Sequence, residues 1–340
     1  MEYISNLSAS EFDAYAKTHP LNSYFQNSSW AKTKANWQAL YVAVKDQQQI
    51  VAAAMILLRR LPLGQKFAYM PRGPLLDFND ENLLSFFFTN LKKHLRKQKV
   101  LLCKIDPNIV INKLAFDRNL QLANEKDDTF VEKMRKHGLR HLGYSLVMHE
   151  TIQPRIQLEL PTKDYDSLIP KKTRKKIRNS FNKGVIVKNE GNQVDSLVKM
   201  VNFTESRHGI ELRNQAYFEH LLNAFKEDAC VLSAYLDDQL ISSGLIVKSK
   251  DMAEILYSGY DDDFKQYNST YPLRYEAIKW AQEQGCKYFS FGGVEGSLDD
   301  GLTMFKSSFG PLVKVFIGEF NLFTFPLISN IAALAFKTIR

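Results

Sequence analysis

Cysteine is scarce in this 340-residue chain, and the three that occur, Cys103, Cys230 and Cys286, are odd in number and far apart. None belongs to a CxxC pair or lies at zinc-ligand spacing from a histidine, which excludes a disulfide framework and the common zinc modules. They are expected to be reduced and buried. The usual catalytic signatures are missing as well: no GxSxG elbow, no HExxH, no Walker A loop and no GxGxxG after a strand. Gly292-Gly293-Val294-Glu295-Gly296 follows a strand pattern but departs from the dinucleotide fingerprint, and it reads as a flexible turn. The seven histidines form no metal set, so neither a metal nor another cofactor is expected.

No stretch approaches the roughly 20 apolar residues that a membrane-spanning helix needs. The N-terminus, MEYISNLSASEFDAYAKTHP, has no basic leader, apolar run or small-residue cleavage site, so a cytoplasmic location is expected. Apolar residues do gather from Phe325 to Phe336 (FPLISNIAALAF), with Lys337 and Arg340 behind them. Two readings stay open there: a terminal helix packed on the body, or a peripheral contact of residues 325–340 with the inner face of an anionic membrane.

What the chain does have is length, apolar content and positive charge. At 340 residues with 45% hydrophobic content it can bury substantial cores, and two domains are favoured over one. A net charge of +8 and a pI near 9.1 favour anionic partners such as nucleic acid, nucleotides or acidic lipid.

A weak duplication recurs about 190 residues apart. Ala39 to Ile56 (ALYVAVKDQQQIVAAAMI) alternates apolar positions on both sides of a polar turn at Asp46 to Gln48, the pattern of a β-hairpin. Cys230 to Val247 (CVLSAYLDDQLISSGLIV) repeats it around Asp237-Asp238. Asn82 to Arg96 has helical periodicity and leads into a strand at Val100 to Ile105; Tyr271 to Gln284 leads likewise into Lys287 to Phe291. Ser8 and Glu11 form a capping box for a first helix that Pro20 ends. Further helices are expected at Ile169 to Lys183, Asp195 to Ser206 and Asn214 to Lys226, with a helical reading for the polar stretch from Phe116 to Tyr144.

These elements define an α/β protein of two similar domains with mixed, largely antiparallel sheets, since turns this short cannot be parallel crossovers. A cleft between the domains is the simplest assembly. The first domain is set at 1–145, with 317–340 packing back on it, and the second at 146–316.

The densest charge lies in PKKTRKKIRNSFNK, where Lys171, Lys172, Arg174, Lys175, Lys176 and Arg178 fall within eight residues. On a helix they cannot share one face. Ile177 and Phe181, at i and i+4, are the expected buried stripe, and the cations around it suit either solvent or the phosphates of a tRNA acceptor stem. In WAKTKANW, Trp30 and Trp37 would share a helix face. In RNQAYF, Arg213 stands four residues before Tyr217 near a helix start, where backbone N–H groups attract anions.

Together with PRGPLL at Pro71 to Leu76, LYSG at Leu256 to Gly259 and MFKSSFG at Met304 to Gly310, these motifs resemble the Fem family of nonribosomal peptidyl transferases over nearly the whole chain. The compact FemX type is the better match, because no coiled-coil arm is present. The resemblance implies two domains of the GNAT (acyl-CoA N-acyltransferase-like) fold. It implies that Lys34 and Arg213 hold the diphosphate of UDP-MurNAc-pentapeptide and that Tyr217 and Tyr257 line that site. Lys306 and Phe305 of the FK motif would stand at the reacting centre, with Asp106 of the Asp-Pro turn as a further candidate.

The implied reaction moves an amino acid, alanine or serine being usual for the type, from aminoacyl-tRNA to the stem-peptide lysine of UDP-MurNAc-pentapeptide or lipid II. A monomer is expected. Lys306 would stabilise the oxyanion, and Asp106 would receive a proton or serve as an ordinary turn. Two rivals stand beside this. An acyl-CoA-dependent N-acetyltransferase would need a Q/R-x-x-G-x-G/A loop, and Arg140 to Ser145 matches only its first half. A non-catalytic tRNA-binding module would need aromatics beside the cations of the basic helix.

Overall fold

The computed structural model describes residues 1–208 and 213–325. They form two compact units, one from Met1–Asn112, Gln121–Arg155 and Val315 onward, the other from Lys113–Leu120 and Ile156–Lys314. Against the expected changes at 145/146 and 316/317, the chain changes unit at 155/156 and 314/315, and lends residues 113–120 to the second unit.

Strands β1 (Glu2–Ile4), β2 (Gln38–Asp46), β3 (Gln49–Arg60), β4 (Lys66–Arg72), β5 (Val100–Pro107), β6 (Val110–Ala115) and β7 (Leu139–His141) come first. After them come β8 (Ile156–Pro161), β9 (Ile186–Gly191), β10 (Ala229–Leu236), β11 (Gln239–Ser249), β12 (Met252–Tyr260), β13 (Tyr288–Gly293), β14 (Leu312–Phe316) and β15 (Phe320–Phe323). One sheet has the order β1-β2-β3-β4-β5-β15-β7 and the other β6-β14-β8-β13-β12-β11-β10-β9. The first unit carries helices α1 (Ala9–Thr18), α2 (Ser28–Lys32), α3 (Glu81–Lys97) and α4 (Asp128–Lys136). The second carries α5 (Tyr165–Leu168), α6 (Lys171–Asn182), α7 (Asp195–His208), α8 (Gln215–Phe225), α9 (Thr270–Glu283) and α10 (Gly301–Ser307).

The duplication reaches down to backbone torsions. Both hairpins turn through two residues of positive φ, Gln47 (45°) and Gln48 (70°) in one, Asp237 (44°) and Asp238 (63°) in the other, the torsions of a type I′ turn. Each has a register shift just before that turn, between Val44 and Lys45 and between Ala234 and Tyr235. Each continues antiparallel into a third strand, then crosses over a helix to a parallel fourth: β4 to β5 over α3, and β12 to β13 over α9. The mixed, largely antiparallel sheets follow from this repeat.

Local chemistry sets the elements. Ser8 Oγ accepts from the Glu11 N–H and the Glu11 carboxylate accepts from the Ser8 N–H, both at 3.2 Å, so the capping box starts α1. α3 buries the stripe Leu83, Leu84, Phe87, Phe88, Leu91 and Leu95 against its sheet.

Several sequence expectations change. WAKTKANW is not one helix: α2 ends at Lys32, and the Thr33 hydroxyl bonds back to the Trp30 carbonyl at 2.7 Å. Trp30 is buried edge-on to Tyr24 and Phe25, while Trp37 packs on Phe67 instead of sharing a helix face with it. The stretch from Phe116 to Tyr144 is helical only at Leu122–Asn124 and in α4, then forms β7. β15 enters between β5 and β7, antiparallel to both. The apolar segment beyond Phe325 lies outside the described residues. Among those residues no helix is long and apolar enough to cross a membrane. All three cysteines are buried and free, with burial pushing the Cys286 thiol up to about 11.

Candidate active site

In the second unit, the LYSG motif falls where β12 is irregular. Leu245 pairs with Tyr257 but Ile246 pairs with Ile255, so Leu256 is an extra residue, and such a bulge re-aims the side chain that follows. Tyr257 then points its hydroxyl at that of Tyr217, 3.4 Å away. Ser258 holds Arg274, its Oγ accepting from Nη2 at 2.7 Å. Gly259 lets α7 lie against the strand, because a Cβ there would meet the Met200 carbonyl oxygen at 1.9 Å. One four-residue motif thus supplies a site tyrosine, a positioning hydroxyl and a packing contact.

Arg213 directly precedes Asn214, the cap of α8, whose side chain accepts from the Tyr217 N–H at 3.0 Å. Its guanidinium lies 5.2 Å from the Tyr217 ring centroid. Arg213, Tyr217 and Tyr257 therefore form one exposed-to-half-buried cluster, cationic and aromatic, of the kind that holds a phosphate or a flat ring.

The FK motif lies in α10, capped by Asp300, which accepts from the Leu302 and Thr303 N–H groups. Lys306 is 9% exposed, and its Nζ donates to the Gly293 carbonyl at 2.8 Å. Burial pushes this lysine down to about 8, and the neighbouring charge of Arg274 adds to that against the opposing pull of Glu254 and Asp300. A buried amine near neutrality is typical of a functional site. Phe305 packs edge-on against Tyr271, with ring centroids 5.1 Å apart.

The basic helix α6 splits its cations between two concavities. Lys172 and Lys176 line a cavity of about 550 Å³ together with Tyr271, Met304 and Phe305, and with Phe116 and Arg118 from the inserted segment. Lys176 Nζ donates to the Tyr271 hydroxyl at 2.8 Å. Lys171, Arg174, Lys175 and Arg178 border a second concavity of about 510 Å³ with Asp166, Phe181 and Tyr275. The buried face of α6 is Thr173, Ile177 and Ser180, so Phe181 is not core as its spacing from Ile177 led one to expect. It stands half-buried beside the cations, and the buried stripe is partly polar, with the Thr173 hydroxyl bonding to the Ser308 carbonyl at 2.5 Å.

In the first unit, Lys34 follows the end of α2, with its Nζ 4.0 Å from the Trp30 ring centroid. Asp106, at the end of β5, is 2% exposed. Its Oδ1 accepts from the Arg72 N–H at 3.1 Å; Arg72 Nε stands 3.6 Å from Oδ2, near enough for attraction and too far for a hydrogen bond. Burial outweighs that attraction and pushes the carboxyl up to about 7. Arg72, at a φ of 50° inside PRGPLL, lies 3.9 Å from the centre of the Phe316 ring and donates to the Pro154 carbonyl. The PRGPLL motif is thus a buried turn anchored by Asp106.

Arg274, Glu254, Ser258 and Tyr271 surround the FK motif and were absent from the sequence-derived site. One signal was available: at helical period Arg274 falls on the apolar stripe of Ala277, Ile278 and Ala281, an odd place for a cation.

The fold and this site define a class: a tandem α/β acyltransferase-like protein with a cationic, aromatic second unit. The FemAB family model matches residues 7–239 and 232–337, and the chain belongs to the FemAB family and is a transferase of it. It is 31% identical over 322 residues to the UDP-N-acetylmuramoylpentapeptide-lysine N(6)-alanyltransferase of Weissella viridescens, covering 91% of this chain and 92% of that protein. It is 22% identical to the lipid II:glycine glycyltransferase of Staphylococcus epidermidis, covering 93% and 91%. Among solved structures it is similar to FemX, with a TM-score of 0.85 at 20% identity over 97% of this chain and 100% of that one. A tandem GNAT protein from the clavulanic acid biosynthesis pathway shares the fold at a TM-score of 0.56 and 13% identity, over 96% and 99%.

Proposed function

We propose that this chain transfers an amino acid, alanine or serine, from aminoacyl-tRNA to the stem-peptide lysine of UDP-MurNAc-pentapeptide or lipid II, starting an interpeptide bridge. One observation carries the reading: Lys172 and Lys176 share a single cavity with Phe305 of the FK motif. Phosphate-neutralising charge beside an aromatic platform is what the 3′ end of a charged tRNA requires. The relatives named above act on a peptidoglycan precursor, and that supports the acceptor class.

In this reading the acceptor amine attacks the ester carbonyl, a C–N bond forms, the ester C–O bond breaks, and the ribose hydroxyl leaves with a proton. No covalent enzyme intermediate is needed, because the ester is already activated. Orientation in a shared site can supply up to roughly 7–11 kcal/mol. The Lys306 ammonium at the developing oxyanion adds about 3–4 kcal/mol. Arg213 receives the diphosphate, with Tyr217 and Tyr257 flanking it, and the family resemblance assigns Lys34 to diphosphate binding as well. Asp106 takes the proton of the incoming ammonium, and its anchoring of Arg72 is the competing use.

A second reading, an RNA-binding module without turnover, draws support from Phe181 and Tyr275 beside four cations. The acetyl-CoA reading loses ground: neither crossover turn, Gly73 to Asp80 or Asp261 to Ser269, contains a Q/R-x-x-G-x-G/A run. The test crosses a panel of charged tRNAs with both acceptors. Amide product on the stem lysine is expected; tRNA binding without product from any pair would leave the binding module.

A further inference from the structure

Arg274 stands one turn into α9 and is only 5% exposed. A guanidinium buried to that degree ordinarily finds a carboxylate for its fork. Here Nη2 donates to Ser258 Oγ at 2.7 Å, while Nε and Nη1 make no hydrogen bond among the described residues. Its charge is left largely unshared, and burial pushes the group down to about 10.

Its surroundings point to the FK motif. The Arg274 Cζ lies 5.7 Å from the centroid of the Phe305 ring, and Lys306 is the next residue. Lys306 Nζ is tied to the Gly293 carbonyl on β13. Glu254 of β12, 8% exposed, reaches the same spot: a Cβ on Gly292 would stand 3.7 Å from Lys306 Nζ and 3.9 Å from Glu254 Oε1. Asp300 also faces the lysine, but its carboxylate is engaged in capping α10. Among the described residues, the buried charged groups at this spot are two cations, Arg274 and Lys306, and one carboxylate, Glu254. Two like charges kept together in a dry site oppose folding, and such an arrangement persists where an incoming negative charge relieves it.

We infer that Arg274 is a positioning residue of the reacting centre: it braces the Phe305 ring and keeps Lys306 incompletely neutralised, so that the ammonium is free to meet an arriving anionic oxygen. This rests on the reading of Lys306 given under the proposed function. The positive charge of Arg274 acts on the lysine in the same direction as burial, and the contact of its guanidinium with the Phe305 ring places it beside the motif. A purely structural arginine would predict no link between residue 274 and the acidity of Lys306.

The test follows the ε-carbon resonance of ¹³C-labelled lysine in the free protein, assigned to Lys306 by its loss in Lys306→Met. Arg274→Gln should raise the titration midpoint by about one pH unit, because a like charge is gone. Arg274→Lys should hold it near the wild-type value. In single-turnover transfer, Arg274→Gln should lower the rate about tenfold, less than the loss of a direct oxyanion donor, with acceptor KM unchanged. Its alkaline limb should move upward with the NMR midpoint, and Arg274→Lys should recover most of the rate.

An unmoved midpoint in Arg274→Gln overturns the inference, and so does a moved midpoint with unchanged rate and limb. Should the glutamine variant fail to fold, Arg274→Lys decides alone: a midpoint climbing to that of an ordinary lysine would overturn it. The NMR midpoint needs no substrate. Absence of transfer by the wild-type protein would therefore count against the proposed reaction, separately from the coupling of residues 274 and 306.

Discussion

The Lys306 ammonium donates to the Gly293 carbonyl at 2.8 Å, joining the end of α10 to the end of β13. The bond holds the amine in place while leaving two of its three protons for other acceptors. Gly292, at a φ of 80°, brings the strand end close to the lysine without a side chain in the way.

Lys306→Met tests that arrangement twice. The variant keeps the apolar stem and loses the cation, so kcat and kcat/KM should fall together by about 10²–10³ with acceptor binding intact. The fold should gain. The folded-state value of about 8 lies below the ordinary 10.5, so the unfolded chain binds the proton more tightly, and wild-type stability rises as pH climbs from 8 to 10.5. Below pH 8 the full cost of burying the charge is present, up to about 3 kcal/mol, and methionine should recover part of it. Single-turnover transfer and denaturant melts at pH 7 measure the two effects. Wild-type turnover in this variant would remove Lys306 from the chemistry.

Arg213→Ala and Lys34→Ala should each weaken capture of a UDP-linked acceptor by about 1.5–3 kcal/mol, the worth of one charge-assisted hydrogen bond. Both side chains are accessible, Arg213 exposed and Lys34 half-buried, so the fold should tolerate their loss. Calorimetric titration with UDP-MurNAc-pentapeptide reads the affinities directly. Unchanged values in both variants would dissociate these cations from the diphosphate.

The split of the α6 cations predicts separable behaviour. Lys172→Gln with Lys176→Gln should cut transfer more than tRNA binding, because these two share the cavity with Phe305. Neutralising Lys171, Arg174, Lys175 and Arg178 should chiefly reduce the salt dependence of binding, by roughly 0.7–0.9 in log–log slope for each phosphate no longer neutralised. Filter binding across a salt series, with transfer measured alongside, separates the two groups. Equal effects on slope and rate from both sets would mean that α6 acts as one undivided surface.

The fold was legible because its signals are local. Alternation and turn position gave both hairpins, the Ser8–Glu11 box gave the start of α1, and helical period gave α3 and α9. The Trp30 to Trp37 stretch failed because spacing alone cannot see Thr33 bonding back to Trp30 or the cluster of Tyr24 and Phe25 that captures Trp30. Phe181 failed for a related reason: burial on α6 was decided by Thr173 and Ser180 finding backbone carbonyls on segments distant in sequence. Arg274 left a trace on its helix stripe, but its partners Ser258 and Phe305 are 16 and 31 positions away in sequence, and only folding brings them in.

The remaining prediction concerns Asp106, whose buried carboxyl is raised to about 7 from the ordinary 3.8. Between those values the folded chain binds more protons than the unfolded chain, so stability falls as pH rises from about 4 to 7. Three units correspond to at most about 4 kcal/mol. Asp106→Asn removes the titration while keeping an oxygen for the Arg72 N–H, and Arg72 retains Pro154 and Phe316 as partners. The difference in unfolding free energy between wild type and variant, measured by denaturant melts from pH 4 to 8, should therefore favour wild type most at the acidic end. Turnover then decides between its two uses. If Asp106 accepts the proton of the attacking amine, the variant should lose about 10²-fold or more in kcat at neutral pH and recover part of it as pH rises and free amine accumulates. If Asp106 only anchors the Pro71 to Leu76 turn, kcat should stay within a few-fold of wild type at every pH while the stability slope still disappears. A variant that keeps the wild-type stability slope would show that another group produces it, and the carboxyl would lose its assigned place in both accounts.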